Sequence, residues 1–200
     1  RNQFGALAAV ATAAVMVFSA PAIAQDIKVG ALMPLTGPLA QYGESSVNGV
    51  NLAAIHINAQ GGLLGGRSME IVIGDTQTDP QSGVAAAQQL VRVQGVVGLI
   101  GALASSVSIP VATSVSAVDG VVQITGASTS PVITGLADND FLFRTTPHDL
   151  VQGQVLGALL RERGYERLAI LYVNDDYGKG LAEAIHETFD ALGGVITRQI

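Results

Sequence analysis

The chain has 200 residues, of which 48% are hydrophobic, 4% aromatic and 13% charged, with a formal net charge of −6 and no cysteine. That length allows one or two domains with a sizeable core, and the shortage of aromatics leaves Ala, Val, Leu and Ile to fill it. An acidic chain without a basic patch is a poor nucleic-acid binder, and the missing cysteines exclude a disulfide framework.

Residues 1–24 read as a cleavable leader. The stretch "RNQFGALAAVATAAVMVFSAPAIAQ" has a single cation, Arg1, then an Ala/Val/Met/Phe-rich run, then Pro21 and the small-x-small triplet Ala22, Ile23, Ala24. This is the grammar of a secretory signal peptide cut after Ala24. A membrane anchor is the rival reading, and the Ala-rich composition, Thr12, Ser19 and the proline stand against it. The remainder is expected to be exported and, with no cysteine to carry a lipid, freely soluble in the periplasm.

Beyond the leader, short apolar runs alternate with helix-like stretches. "IKVGALMPL" predicts a buried strand stopped by Pro34, and "GESSVNGVNLAAIHINAQGG" a helix from near Ser45 closed by Gly61 and Gly62. "MEIVIGDTQ" predicts a second strand, and "DPQSGVAAAQQLVRVQ" a second helix with Asp79 as N-cap and Pro80 at its first position. A third strand follows in "VVGLIG", a helix in "SSVSIPVATSVSAV", a fourth strand in "VVQIT" and a fifth in "FLFRTT". A helix over Asp149–Arg163, the strand of "RLAILYVNDD", the helix of "YGKGLAEAIHETFDALGG" and a strand in "VITRQI" complete the chain. This alternation implies an α/β fold with a parallel, doubly wound sheet and right-handed crossovers. Residues 25–147 are expected to form a first unit. The segment "FRTTPHDLVQ" would cross into a second, 148–200, that has too few strands for a complete doubly wound lobe.

In an open α/β sheet, ligands bind beyond the carboxyl ends of the strands. Two loops of small hydroxyl residues lie there: "GALASS" after the third strand and "TGASTS" after the fourth. Ser105, Ser106, Ser128 and Thr129 can present hydroxyls and amides to a carboxylate, and neighbouring carbonyls can accept from an ammonium. Ordinary helix capping explains the same residues, so both readings stand at this point. No dinucleotide or P-loop glycine motif, no H-E-x-x-H and no G-x-S-x-G elbow is present. His56, His148 and His186 are far apart, Asp75 and Asp79 suit strand-end and capping roles, and the adjacent Asp175 and Asp176 suit a loop or cap better than a metal site. No metal or cofactor is expected.

The run "IKVGALMPLTGPLAQYGESSVNGVNLAAIHINAQGGLLGGRSMEIVIGDTQTDPQSGVAAAQQLV", with "LASS", "TGASTSP", "FRTTPHDLVQG" and "LAILYVNDDYGKGLAEAI" in order after it, resembles the type I periplasmic binding proteins. The resemblance is to their leucine/isoleucine/valine-binding branch, which serves ABC importers. It implies two lobes joined by three crossovers and closing on a ligand, with a return segment to the first lobe and most of the second lobe outside this sequence. It further implies that Ser105 binds the ligand carboxylate, that the Ala127 carbonyl receives the α-ammonium, and that Thr129 serves both. Leu103, Ala104 and Tyr42 would line the side-chain pocket, and Ser128 stays a candidate ligand-binding residue from its place in the loop. Tyr177 would close over it from the second lobe, and Asp149 matches an acidic residue near the crossover. Some relatives join two cysteines at the positions of Thr78 and Ala104, and this chain lacks both. The resemblance thus implies an amino-acid carrier, monomeric, partnered by permease subunits and not an enzyme. Binding proteins for amides, urea-like compounds or aromatic acids, a receptor's sensor domain and an exported hydrolase are the alternatives.

Overall fold

The structure is a computed structural model that describes residues 25–200. The leader assigned to 1–24 lies outside the described residues. Strands β1 (Ile27–Met33), β2 (Met69–Asp75), β3 (Gly98–Gly101), β4 (Val122–Thr125) and β5 (Leu142–Arg144) form one sheet in the order β2-β1-β3-β4-β5. Every pairing in it is parallel, for example Gly30 beside both Val72 and Leu99, and Ile124 beside Ile100 and Phe143. Strands β6 (Arg167–Ile170) and β7 (Val195–Gln199) make a second parallel sheet of two. The parallel α/β expectation therefore holds, and β5 takes the place expected of a fifth strand.

The core of the first sheet lies on one face. Leu32 and Leu99 point into it from β1 and β3, against Ala87 and Leu90 after β2 and against Val107, Val111 and Val115 after β3. Those last three come from helix α3 (Ser105–Val111) and the wider π turn Ala112–Ser116 that follows it, with the single turn α4 (Ala117–Asp119) closing the run. Helix α2 (Pro80–Gln88) likewise passes into a π turn over Gln89–Gln94 and ends at Gly95 in the left-handed conformation. Both stretches were expected as plain helices. Proline at position 110 withholds the N–H that an α-helix needs at that point, which makes a local change of winding cheap there. Helix α1 (Gly43–Ala59) packs on β1 and β2, on the opposite face.

Several caps follow the residue chemistry. The Asp79 side chain accepts from the Ser82 N–H at 2.8 Å with Pro80 at the first helical position. Asp175 caps helix α6 (Asp176–Ala191) by accepting from the Gly178 N–H at 2.8 Å. Asp75 does more than end a strand. Its carboxylate accepts from the N–H groups of Leu35, Thr36 and Gln77 and from the Thr36 hydroxyl, so it ties the loop after β1 to the end of β2. Those hydrogen bonds together outweigh the effect of burial and hold its pKa below the usual carboxylate value.

Helix α5 (Asp149–Glu162) lies along α6. The apolar positions Ala182, Ile185 and Phe189 recur on one face of α6, and Phe189 is wholly buried. The two helices approach at glycines: a Cβ on Gly153 would lie 2.4 Å from the Ala184 Cβ, and one on Gly157 would lie 2.8 Å from the Thr188 Cβ. His56 and His186 sit on helices as expected, and His186 Nδ1 pairs with Gln199 Oε1 at 2.9 Å.

Candidate functional site

With the order β2-β1-β3-β4-β5, successive connections leave β1 on opposite sides, and the crevice outside the carboxyl ends of β1 and β3 is where such a sheet receives a ligand. A cleft of about 610 Å³ runs between α1 and the sheet, from Ile57, Met69 and Ile71 up to these strand ends, where Met33, Tyr42, Leu103 and Ala127 line it. Gly101 has φ of +114°, and a Cβ on it would meet the Leu32 carbonyl oxygen at 2.3 Å, so only glycine lets β3 end this close to β1.

The loop after β3 is held by side chains that take up its carbonyls. Gln123 Nε2 donates to the Gly101 carbonyl at 3.0 Å, while its Oε1 accepts from the Ser116 hydroxyl at 3.0 Å. The Thr125 and Ser108 hydroxyls donate to the Ala102 carbonyl at 2.7 and 3.1 Å. Ser128 Oγ lies 3.1 Å from the Leu103 carbonyl and 2.8 Å from Ser108 Oγ. All five side chains are fully buried. A satisfied buried network of this kind fixes geometry, because breaking one bond leaves a desolvated group without a partner.

Ser128 is therefore committed to binding one loop to the other, and its hydroxyl is not free to face a ligand. Ser105 differs. It opens α3, is 2% exposed, and its Oγ accepts from the Ser130 N–H at 3.2 Å, which leaves its own proton to donate. Ala127 is exposed at the cleft, with its N–H turned to Thr125 Oγ1 at 3.2 Å. Tyr42, half exposed, rises from a 3₁₀ turn over Ala40–Tyr42 whose last carbonyl accepts from the Ser45 and Ser46 hydroxyls. Leu103 and Ala104 are partly buried at the loop between β3 and α3.

Thr129 faces elsewhere in part. It borders a second cleft of about 450 Å³ with Thr146, His148 and Val151, and its carbonyl accepts the Asp149 N–H at 2.9 Å. The start of α6 packs against the next residues, since a Cβ on Gly180 would lie 2.5 Å from Pro131 Cδ. Asp149 is fully buried, and neither carboxylate oxygen has a hydrogen-bond partner among the described residues; the Thr129 hydroxyl comes near without reaching bonding geometry. Burial raises its pKa above the usual value, and Thr129, Arg144 and His148 pull the other way without offsetting it. Tyr177, in the first turn of α6, is pushed up by burial and then by the charges of Asp149 and Asp175. Tyr177 thus lies close enough to Asp149 to feel its charge.

Gln123, Thr125, Ser108 and Arg144 brace these loops, a role the sequence reading does not assign to them. Arg144 Nη1 donates to the Ser130 carbonyl at 2.8 Å and its Nη2 to the Thr134 hydroxyl, which holds the turn that carries Thr129. A sequence signal for them exists: Gln123 and Thr125 are polar residues alternating within an otherwise apolar strand, a pattern that calls for buried partners. Among the described residues there is no cluster of three His, Cys, Asp or Glu able to hold a metal ion, and no helix long and apolar enough to cross a membrane.

Residues 26–200 match the family described as periplasmic binding protein. The chain is 36% identical over 173 residues to the Leu/Ile/Val-binding protein of Escherichia coli K12, covering 86% of this chain and 46% of that one. It is 36% identical over 185 residues to the leucine-, isoleucine-, valine-, threonine- and alanine-binding protein of Pseudomonas aeruginosa, covering 92% and 48%. An ABC transporter substrate-binding protein from Desulfitobacterium hafniense, solved in complex with Leu, superposes with a TM-score of 0.72 at 34% identity over 87% of this chain and 50% of that one. The chain thus spans about half the length of the curated relatives it matches. With a family match over nearly all of the described residues and a fold shared with a substrate-binding protein of known structure, the chain belongs to the periplasmic binding protein family.

Proposed function

We propose that this protein is an exported solute-binding protein that captures a small amino acid, of the branched-chain class, and delivers it as a monomer to the permease subunits of an ABC transporter. Residues 25–147 form the first ligand-binding lobe and residues 148–200 begin the second. It is a carrier and not an enzyme. What supports this reading is that Ser105, Ala127 and Thr129 lie on two strand-end loops tied to one another by the Ser130 N–H on Ser105 and by Ser128, with Ala127 at an apolar cleft. A buried zwitterion needs both charges answered, and an unanswered one costs several kcal/mol. Hydroxyls and backbone dipoles do so here: the Ser105 proton and adjacent amides suit a carboxylate, and the Ala127 carbonyl and Thr129 hydroxyl suit an ammonium. Tyr42, Leu103 and Met33 supply apolar surface for an aliphatic side chain. The names of the relatives support the same ligand class. Contact with both lobes is made only when they close, so ligand favours the closed form.

The test is a thermal-shift screen of the full-length protein against the common amino acids, small amides and aromatic acids, followed by calorimetry on the hits. A ligand at one hundred times its dissociation constant adds about 2.7 kcal/mol, a shift of several degrees. Leucine, isoleucine or valine is expected to give it, and Thr129→Ala to weaken binding at least tenfold at an unchanged Tm. Ser105→Ala should weaken binding similarly and also lower Tm by a few degrees, because the Ser130 N–H loses its acceptor. A shift with amides or aromatic acids alone would replace the ligand class, and unaltered affinity in both variants would displace the site.

A further inference from the structure

The group that the carrier function leaves unexplained is Asp149. A carboxylate that is wholly buried and has no hydrogen-bond donor on either oxygen is a costly arrangement, and native proteins rarely keep one without a use. It stands at the first position of α5, where its backbone N–H holds the Thr129 carbonyl at 2.9 Å, so it lies one hydrogen bond behind a residue of the ligand site. The charged and titratable groups that act on it are Arg144 from β5, the adjoining His148, and Tyr177 from the start of α6. Asp175, at the cap of α6, adds a further negative charge to the same neighbourhood through Tyr177. Arg144 is already spent on the Ser130 carbonyl and the Thr134 hydroxyl, and the Nδ1 of His148 is buried and equally without a partner.

We propose that at mildly acidic pH Asp149 carries a proton in the ligand-free protein and releases it to solvent when an α-ammonium group is captured, so that ligand uptake and proton release are linked. The inference rests on the amino-acid reading above and deepens it. The neutral acid suits a dry site in which no donor reaches either carboxylate oxygen in full bonding geometry. An ammonium seated at Thr129 supplies the opposite charge that the carboxylate lacks, and in a partly desolvated site that attraction is strong enough to change which protonation state prevails. One O–H bond breaks, the proton passes to the buffer, and the ammonium keeps all of its own protons. By linkage, acid then opposes binding: below the ionisation range of the ligand-free carboxyl, affinity falls about tenfold for each pH unit.

The experiment is calorimetry of leucine binding to the full-length protein at mildly acidic pH, in two buffers of different ionisation enthalpy. The difference in heat counts the protons. Wild type is expected to release close to one proton per leucine, and Asp149→Asn none, while its residual affinity no longer varies with pH. Should that variant not fold, the slope of wild-type affinity against pH carries the same information. Leucine binding with equal heats in both buffers, or a release that persists in Asp149→Asn, overturns the linkage and leaves the carrier function standing. Absence of leucine binding at every pH removes the amino-acid reading and the linkage with it.

Discussion

At the scale of single residues, the two serines named at the strand ends have opposite fates. Ser105 keeps a proton free, whereas Ser128 gives its hydroxyl to carbonyls of the neighbouring loop. Nothing in "GALASS" or "TGASTS" distinguishes them, since the difference lies in which carbonyl the fold brings within hydrogen-bonding distance. Asp149 is the residue with the clearest stability signature. Its folded-state pKa is raised, so between the ordinary carboxylate value and the raised one the folded protein holds more protons than the unfolded chain, and stability falls as pH rises through that window. Asp149→Asn should therefore be more stable than wild type at neutral pH, by about 1 kcal/mol, the scale of an unsatisfied buried polar group. The advantage should vanish on acidification to about pH 4, where the unfolded carboxyl is also protonated. Thermal melts of the ligand-free protein across that range check it. An Asn variant less stable at neutral pH would show that the ionised carboxylate is well answered.

Among the elements, helix and strand positions were legible because hydrophobic periodicity and capping residues are local properties. Asp79 with Pro80, and Asp175 ahead of Gly178, start their helices as their chemistry requires. The π turns at Gln89–Gln94 and Ala112–Ser116 were not legible, because their winding answers to packing on the sheet. The α5–α6 pair shows how far tertiary contact depends on the absence of a side chain. A leucine at Gly153 would drive its Cβ into Ala184 and should lower stability by about 2–3 kcal/mol, as overpacking does. Urea unfolding measures it, and an unchanged midpoint would mean that the two helices part freely.

For the whole molecule, the first sheet is covered unevenly. On the face that carries α1, Val122, Ile124 and Phe143 of β4 and β5 are 40%, 43% and 49% exposed, while Gln123 and Thr125 between them are buried on the other face. Val151 and Val155 on α5 and Leu171 and Val173 after β6 are exposed too. Apolar surface of this extent is uncommon on an isolated soluble unit. Residues 25–200 produced alone should therefore bind a hydrophobic dye such as ANS and melt over a broad range; a sharp melt without dye binding would show that this face tolerates water. The sequence by itself determined the α/β class, the parallel order of strand and helix, the caps and the two small-residue loops, because each depends on residues a few positions apart. Only the tertiary structure decided the order β2-β1-β3-β4-β5, the buried network of Gln123, Thr125, Ser108 and Ser128, and the isolation of Asp149. Those depend on groups twenty or more residues apart meeting away from water, and composition and spacing carry no record of such meetings.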